Sequence, residues 1–128
     1  MLRERLVALF AVVILPLALR VLSLDRTLAL CDRWPVLSTR PASPVGLADR
    51  ARRWLGHGWG PWRASCLTRS IVLYTMLRTH GYTPRLHIGV AGRAAEFVAH
   101  SWVSLGGQPV ADRGDDVDGY QELLAHGD

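Results

Sequence analysis

The stretch CLTRSIVLYTMLRTHG, residues 66–81, decides the fold, because its apolar side chains recur at the spacing of one helix face. The residues that give this spacing are Leu67, Ile71, Tyr74 and Leu77. Ser65 stands where a helix N-cap is expected, and Gly81 is the residue type that ends many helices. The pattern predicts a helix from Cys66 to about His80, with a cysteine in its first turn.

Short strands are predicted to follow this helix. The segment PRLHIGV (84–90) alternates apolar and polar residues, and EFVAHSWVSL (96–105) and QPVAD (108–112) are two more strand-like runs joined by two glycines. The tail YQELLAH (120–126) is predicted to be a short helix. A helix followed by an antiparallel sheet indicates an α+β fold, in which the helix that carries Cys66 packs on a small sheet.

The N-terminal part is dominated by the apolar run LVALFAVVILPLAL, residues 6–19, which contains Pro16 and is followed by Arg20. A run of this length suits a signal-peptide core, a buried helix or an interfacial helix better than a full membrane span. Residues 6–24 are therefore expected to form an apolar helix. Burial in the core, contact with a membrane and docking on a partner all stay open for it.

The sequence divides into an apolar helical region, a linker rich in Pro, Ser and Gly, and the α+β domain, at residues 1–34, 35–46 and 47–128. Helical spacing continues over residues 26–34 before the linker. A short basic helix is predicted over residues 46–55, because three apolar residues fall on one face, Leu47, Ala51 and Leu55. A chain of 128 residues supports one main core.

Composition argues against several classes of protein. The net charge of +4 comes from scattered arginines that form no stripe with aromatic residues, so nucleic-acid binding is not supported. An acidic peptide or protein partner, or an anionic membrane surface, fits this charge. Two cysteines are too few for a disulfide framework, and no paired CxxC or HExxH motif is present. We therefore expect a cytoplasmic protein with free thiols and with no metal or cofactor.

Three residues that can carry chemistry follow one another as Cys66, His100 and Asp112. Free N–H groups in the first turn of a helix favour the thiolate form of a cysteine and can bind an oxyanion. His100 lies within a strand, on the same face as Trp102 by parity, and Asp112 lies in the next predicted strand. This order predicts a nucleophile, a base and an orienting carboxylate, and so a cysteine acyl-transfer enzyme, most simply a peptidase.

Each of the three residues also has an ordinary structural interpretation. A cysteine facing a sheet is commonly a small buried apolar residue, a histidine in a strand is often a hydrogen-bonded structural residue, and Asp112 could belong to a solvated acidic loop. The remaining histidines are expected to be solvated: His57, His80, His87 and His126.

The length of the loop between the second and third strands tests the triad. A two-residue loop at Gly106–Gly107 would set Asp112 opposite Ser101, on the face away from His100. A three-residue or bulged loop would move Asp112 to the face of His100. The triad hypothesis therefore predicts a three-residue or bulged turn.

The sequence ASCLTRSIVLYTMLRTHGYTPRLHIGV, followed by FVAHSWVSLGGQPVAD, resembles the lasso-peptide biosynthesis leader peptidase in its split form, a transglutaminase-like cysteine protease. That family carries a C-L-x-R-(S/A) helix start, an L-R-x-x-G helix end, an I-G-V strand and an A-H-(A/S)-W-V strand followed by a carboxylate. The resemblance covers about residues 50–115. One small departure is Ser101, where alanine is common.

The resemblance implies that Cys66 is the nucleophile, His100 the general base and Asp112 the orienting residue. The implied substrate is a ribosomal precursor peptide, cut between its leader and its core. The implied partners are a separate leader-recognition protein and an ATP-dependent cyclase.

Three other functional hypotheses compete with the peptidase. One is another transglutaminase-like acyl transferase that uses the same three residues. The second is a non-catalytic, membrane-associated adaptor. The third is a metal site at Cys66, His100 and Asp112, whose spacing is unlike that of common zinc motifs.

Overall fold

The computed structural model describes residues 2–34, 36, 43–55, 66–91, 98–110 and 120–127. Within these ranges the chain forms helices α1 (Leu2–Val21), α2 (Leu24–Asp32), α3 (Pro44–Leu55) and α4 (Cys66–Thr79), then strands β1 (Arg85–Ala91), β2 (Val98–Leu105), β3 (Gln108–Val110) and β4 (Gln121–Gly127). The α+β fold and the helix that opens at Cys66 are confirmed, and the helix ends in a turn at Gly81, which has φ 86°.

Helix α4 lies at the centre of the molecule. It contacts α1, α2 and α3 as well as β1 and β2, and nearly all of its side chains from Thr68 to Thr79 are buried. Burial on all sides explains why polar side chains on α4 bond within the helix. Thr75 donates its hydroxyl to the Ile71 carbonyl at 2.9 Å, and Thr79 donates to the Thr75 carbonyl at 3.0 Å.

The four strands form one antiparallel sheet in the order β3-β2-β1-β4. The face that packs on α4 carries the buried residues Leu86 and Val103. The predicted tail helix is wrong, because residues 121–127 form β4 and pair with β1 from Arg85 opposite Gly127 to Val90 opposite Gln121. A seven-residue helix has little stability by itself, whereas the free edge of β1 offers a full row of backbone hydrogen bonds.

The loop between β2 and β3 contains two residues. Leu105 pairs with Gln108 and Val103 pairs with Val110, while Gly106 and Gly107 have φ values of 57° and 82°. Two consecutive positive φ angles are the geometry of the tight hairpin turn that glycine favours, so the expected three-residue or bulged turn is wrong. The ladder is described as far as Val110, and Asp112 lies outside the described residues.

Helix α1 has one buried side and one exposed side. The buried side packs into the core through Ala11, Val12, Leu15 and Ala18, and large apolar residues are exposed on the other side at Leu6, Leu9, Phe10, Val13, Ile14, Leu17 and Val21. The expected apolar N-terminal helix is therefore present and is partly buried. No helix in the described ranges is long and apolar enough to cross a membrane.

Helix α3 begins two residues before the predicted start, at Pro44. Ser43 caps it, since its hydroxyl accepts a hydrogen bond from Gly46 N at 3.0 Å, and proline is well suited to a first helical position. The predicted apolar face is confirmed, because Leu47, Ala51 and Leu55 are all buried. Most of residues 35–46 lie outside the described residues, so the division of the chain at a linker stays a prediction.

A single carboxylate at the end of α2 joins three distant elements. Tyr74 on α4 donates its hydroxyl to Asp32 Oδ1 at 2.8 Å, and His126 on β4 lies 2.8 Å from Asp32 Oδ2 through Nε2. Arg78 donates to the Asp32 carbonyl at 3.0 Å. His126 is therefore bound to a carboxylate, and the expectation that it is merely solvated is wrong.

Candidate active site

Cys66 is the first residue of α4 and is half-buried. Ser70, one turn later on the same side of the helix, accepts a hydrogen bond from the Ser101 hydroxyl of β2 at 3.1 Å. This bond fastens the first turns of α4 against β2. Alanine at position 101 would remove this hydrogen bond.

Cys66 and His100 line the same cleft, which has a volume of about 300 Å³. The cleft lies between α3, the start of α4, and the strands β2 and β3. Its apolar walls come from Val45, Ala48, Ala51, Leu73, Trp102, Val103 and Val110, and its polar lining comes from Asp49, Arg52, Cys66, Arg69, Ser70, His100 and Ser101. Cys66 and His100 thus border one space that can hold a short stretch of peptide.

The imidazole of His100 packs among aromatic rings. Its centroid lies 5.9 Å from Trp102, nearly parallel at 21°, and 5.3 Å from Tyr120 at 38°. Trp102 and Tyr120 are themselves 6.1 Å apart. Two ring neighbours on different elements restrict the rotation of the imidazole, because each alternative rotamer would collide with one of them or lose its contact area.

Gly89 makes this close ring packing possible. It pairs with His100 across β1 and β2, and an added Cβ would lie 3.0 Å from Tyr120 Cβ and 3.1 Å from Trp102 Cη2. Any side chain at this position would push the two rings away from the strand. The absence of a side chain at Gly89 therefore lets Tyr120 and Trp102 approach His100.

The two cysteines differ sharply in environment, although both are free thiols. Cys31 on α2 is 0% exposed, and burial raises the pKa of its thiol to about 11, while a hydrogen bond with Thr75 acts in the opposite direction. A buried thiol held protonated is a poor nucleophile. Cys66 is the cysteine that faces the cleft.

The other predicted solvated histidines are largely enclosed. His80 is 3% exposed, and His87 on β1 is half-buried, with Nε2 lying 2.7 Å from the Ser104 hydroxyl and Nδ1 bonded to Glu122. The ring of His87 also stacks on Trp102 at 5.2 Å. The outward strand parity of His87 was predicted, but the neighbouring strands in the sheet enclose its ring, since β4 supplies the carboxylate of Glu122 and β2 the ring of Trp102. His57 lies outside the described residues.

The structure thus brings together two of the three predicted site residues. Asp112 lies outside the described residues, and its role stays a prediction. Within the described ranges no three His, Cys, Asp or Glu side chains are grouped as metal ligands would be. Sequence reasoning gave Arg69 no role beyond its place in the C-L-x-R helix start, and it missed Tyr120, because that residue was placed in a tail helix.

Comparison with models of protein families matches residues 11–125 to the model described as the transglutaminase-like superfamily. This match covers the second half of α1 and all of α2, α3 and α4, and it reaches into β4. Neither the curated proteins nor the solved structures contain a match to the chain.

Proposed function

Because the chain belongs to the transglutaminase-like superfamily, which includes cysteine peptidases and acyl transferases, we propose that it is a cysteine peptidase. In this proposal Cys66 is the nucleophile, His100 is the general base and Asp112 orients the imidazole. The role of Asp112 requires the chain after Val110 to leave the register of β3, because the two-residue loop in continuous register would set Asp112 opposite Ser101. The observation that carries the proposal is the shared cleft, which is lined by Cys66, the first residue of a helix, and by His100 of a neighbouring strand. The buried state of Cys31 leaves Cys66 as the thiol within reach of a substrate.

The proposed reaction proceeds in two stages. The Cys66 thiolate attacks the scissile carbonyl carbon, and free backbone N–H groups in the first turn of α4 stabilise the oxyanion. The protonated His100 then gives its proton to the departing amine as the C–N bond breaks, which leaves a thioester on Cys66. In the second stage His100 takes a proton from water, the resulting hydroxyl attacks the thioester, and the thiolate is released with a carboxylic acid product.

The proposed substrate is the precursor of a lasso peptide, cut between leader and core. The support for this finer assignment is the resemblance of residues 64–90 and 97–112 to the split-form leader peptidase. On the same basis we propose a cytoplasmic enzyme that acts with a separate leader-recognition protein and an ATP-dependent cyclase. The exposed apolar side of α1 supports membrane contact through residues 6–24.

The test is mass spectrometry of a lasso precursor peptide incubated with this protein and its recognition protein. Wild type, Cys66→Ala and Cys31→Ala are run in parallel, so that each cysteine is removed in turn. We expect a leader fragment and a core fragment with wild type and with Cys31→Ala, and intact precursor with Cys66→Ala. Cleavage by Cys66→Ala would contradict the proposal.

The same experiment separates the other candidate functions. An acyl transferase would produce an amide when a primary amine such as glycine methyl ester is added, whereas a peptidase releases the free acid. A non-catalytic adaptor would bind precursor with wild type and Cys66→Ala alike and cleave it with neither.

A further inference from the structure

The cleft beside Cys66 carries an arginine for which the proposed reaction has no use. Arg69 lies three residues after Cys66 on α4, lines the cleft and is exposed. Of its neighbours on the helix, Ser70 directly after it bonds to β2, and Leu73 one turn on is buried in the core. A charged side chain between the nucleophile and these buried residues has no part in the packing of α4.

The charged residues that line the cleft give it a net positive charge beside Cys66. Asp49 and Arg52, three residues apart on α3, form an ion pair with each other. Among the charged side chains of the described residues that line the cleft, one negative and two positive groups therefore leave a net charge of +1. Because the Asp49 carboxylate is already bound to Arg52, Arg69 contributes that excess.

The spacing of Cys66 and Arg69 on α4 determines which residues of a bound peptide the Arg69 side chain can reach. Residues three apart on a helix have Cβ atoms about 5–6 Å apart, and an extended peptide advances about 3.4 Å per residue. A side chain one or two residues from the scissile bond therefore comes within reach of the Arg69 guanidinium. A guanidinium prefers a carboxylate, which it can bind through two parallel hydrogen bonds.

We propose that Arg69 is a specificity-determining residue that binds an acidic side chain of the peptide substrate within about two residues of the bond cleaved. This inference rests on the proposed peptidase function, which supplies the peptide substrate. The preference of the cleft for anions can nevertheless be measured without turnover. The apolar walls at Leu73, Val103 and Val110 would hold the neighbouring apolar part of the same peptide.

The first test compares the alkylation of Cys66 by iodoacetate, an anion, with that by iodoacetamide, which is neutral. Both reagents form the same Sγ–C bond and expel iodide, so the ratio of their rates cancels changes in thiolate content. The background is Cys31→Ala, which leaves Cys66 as the single thiol, and the variants are Arg69→Gln and the control Arg53→Gln. Arg53 is an exposed residue of α3 that does not line the cleft.

We expect Arg69→Gln to lower the iodoacetate-to-iodoacetamide ratio about threefold at low salt, the effect of a unit charge about 7 Å away in water. The ratio for the parent should also fall as salt is added, since salt screens the attraction. Arg53→Gln should keep the parent ratio. An Arg69→Gln ratio equal to that of Arg53→Gln would overturn the proposal.

The second test uses cleavage. Precursor peptides that carry Glu, Gln or Lys at one of the two positions on either side of the scissile bond, and are otherwise identical, are compared by kcat/KM. At one position wild type should prefer Glu by about tenfold, and Arg69→Glu should prefer Lys there. Equal rates for Glu and Gln at all four positions would overturn the proposal. Failure of the peptidase itself would appear as no cleavage of any peptide, while the alkylation ratio of Arg69→Gln would still be lower than that of Arg53→Gln.

Discussion

At the scale of single residues, the ring packing around His100 has a direct bearing on reaction rate. Trp102 is buried against His87 on one side and His100 on the other, while Tyr120 contacts both His100 and Trp102. An imidazole that gives a proton in the first stage and takes one in the second has to keep one orientation through both transfers. Trp102 is therefore a positioning residue in the proposed mechanism.

Replacement of Trp102 by leucine tests this role. We expect kcat to fall about tenfold or more, because the orientation of His100 is lost. KM should change less, because Trp102 is one of seven apolar residues in the cleft walls and leucine is also apolar. Trp102→Phe, which keeps a stacking ring, should recover most of kcat. Trp54→Leu is the matched control, since Trp54 on α3 stacks with Arg50 and does not line the cleft. If Trp102→Leu and Trp54→Leu had equal kcat, the positioning role would be refuted.

At the scale of elements, α1 shows how one apolar sequence can serve two environments. Leu15 and Leu17 lie two residues apart, yet Leu15 is 0% exposed and Leu17 is 38% exposed. Two residues along a helix differ by about 200° in direction, so neighbouring leucines of the same run point into the core and into solvent. Composition alone gives no sign of this difference.

These two leucines form a matched pair for measuring what α1 contributes to stability. Leu15→Ala should lower the free energy of unfolding by about 2–5 kcal/mol, because it leaves a cavity in the core. Leu17→Ala should lower it by less than about 1 kcal/mol. Urea unfolding followed by circular dichroism measures both. Equal losses would mean that α1 does not pack as the structure has it.

How far the sequence predicts an element depends on where its stabilising contacts come from. Helix α4 carries its own signals in the spacing of its apolar residues and in Gly81, so its bounds were predicted within about a residue. Strand β4 depends on pairing with β1, more than thirty residues earlier in the chain, and no local pattern shows that pairing. The face of His100 followed from strand parity, whereas its contact with Tyr120 required β4 to be placed first.

At the scale of the whole molecule, a buried thiol and a buried phenol make the free energy of unfolding depend on pH in the alkaline range. Burial raises the pKa of Cys31 from 9.0 to about 11, and burial together with the hydrogen bond to Asp32 raises the pKa of Tyr74 well above its usual value. A raised pKa in the folded state means that the unfolded chain loses its proton first. The stabilisation is complete below about pH 9 and is lost as the pH rises toward 11.

We therefore expect the free energy of unfolding to fall by about 2–3 kcal/mol between pH 9 and pH 11 through Cys31 alone. Cys31→Ala should be less stable at neutral pH, because it leaves a small cavity, but its stability should decline less steeply over this range. Guanidinium unfolding curves for both proteins at several pH values supply the measurement. Parallel declines would show that Cys31 does not titrate differently in the two states.

The strand order also determines when the fold can be completed during synthesis. β2 and β3 are adjacent in sequence and can pair as soon as they emerge from the ribosome, but β1 then still has one edge of unpaired backbone groups. That edge is covered only when residues 121–127 have been translated. A nascent chain that stalls before this point would expose a seven-residue edge strand, which is a target for chaperones and a template for aggregation.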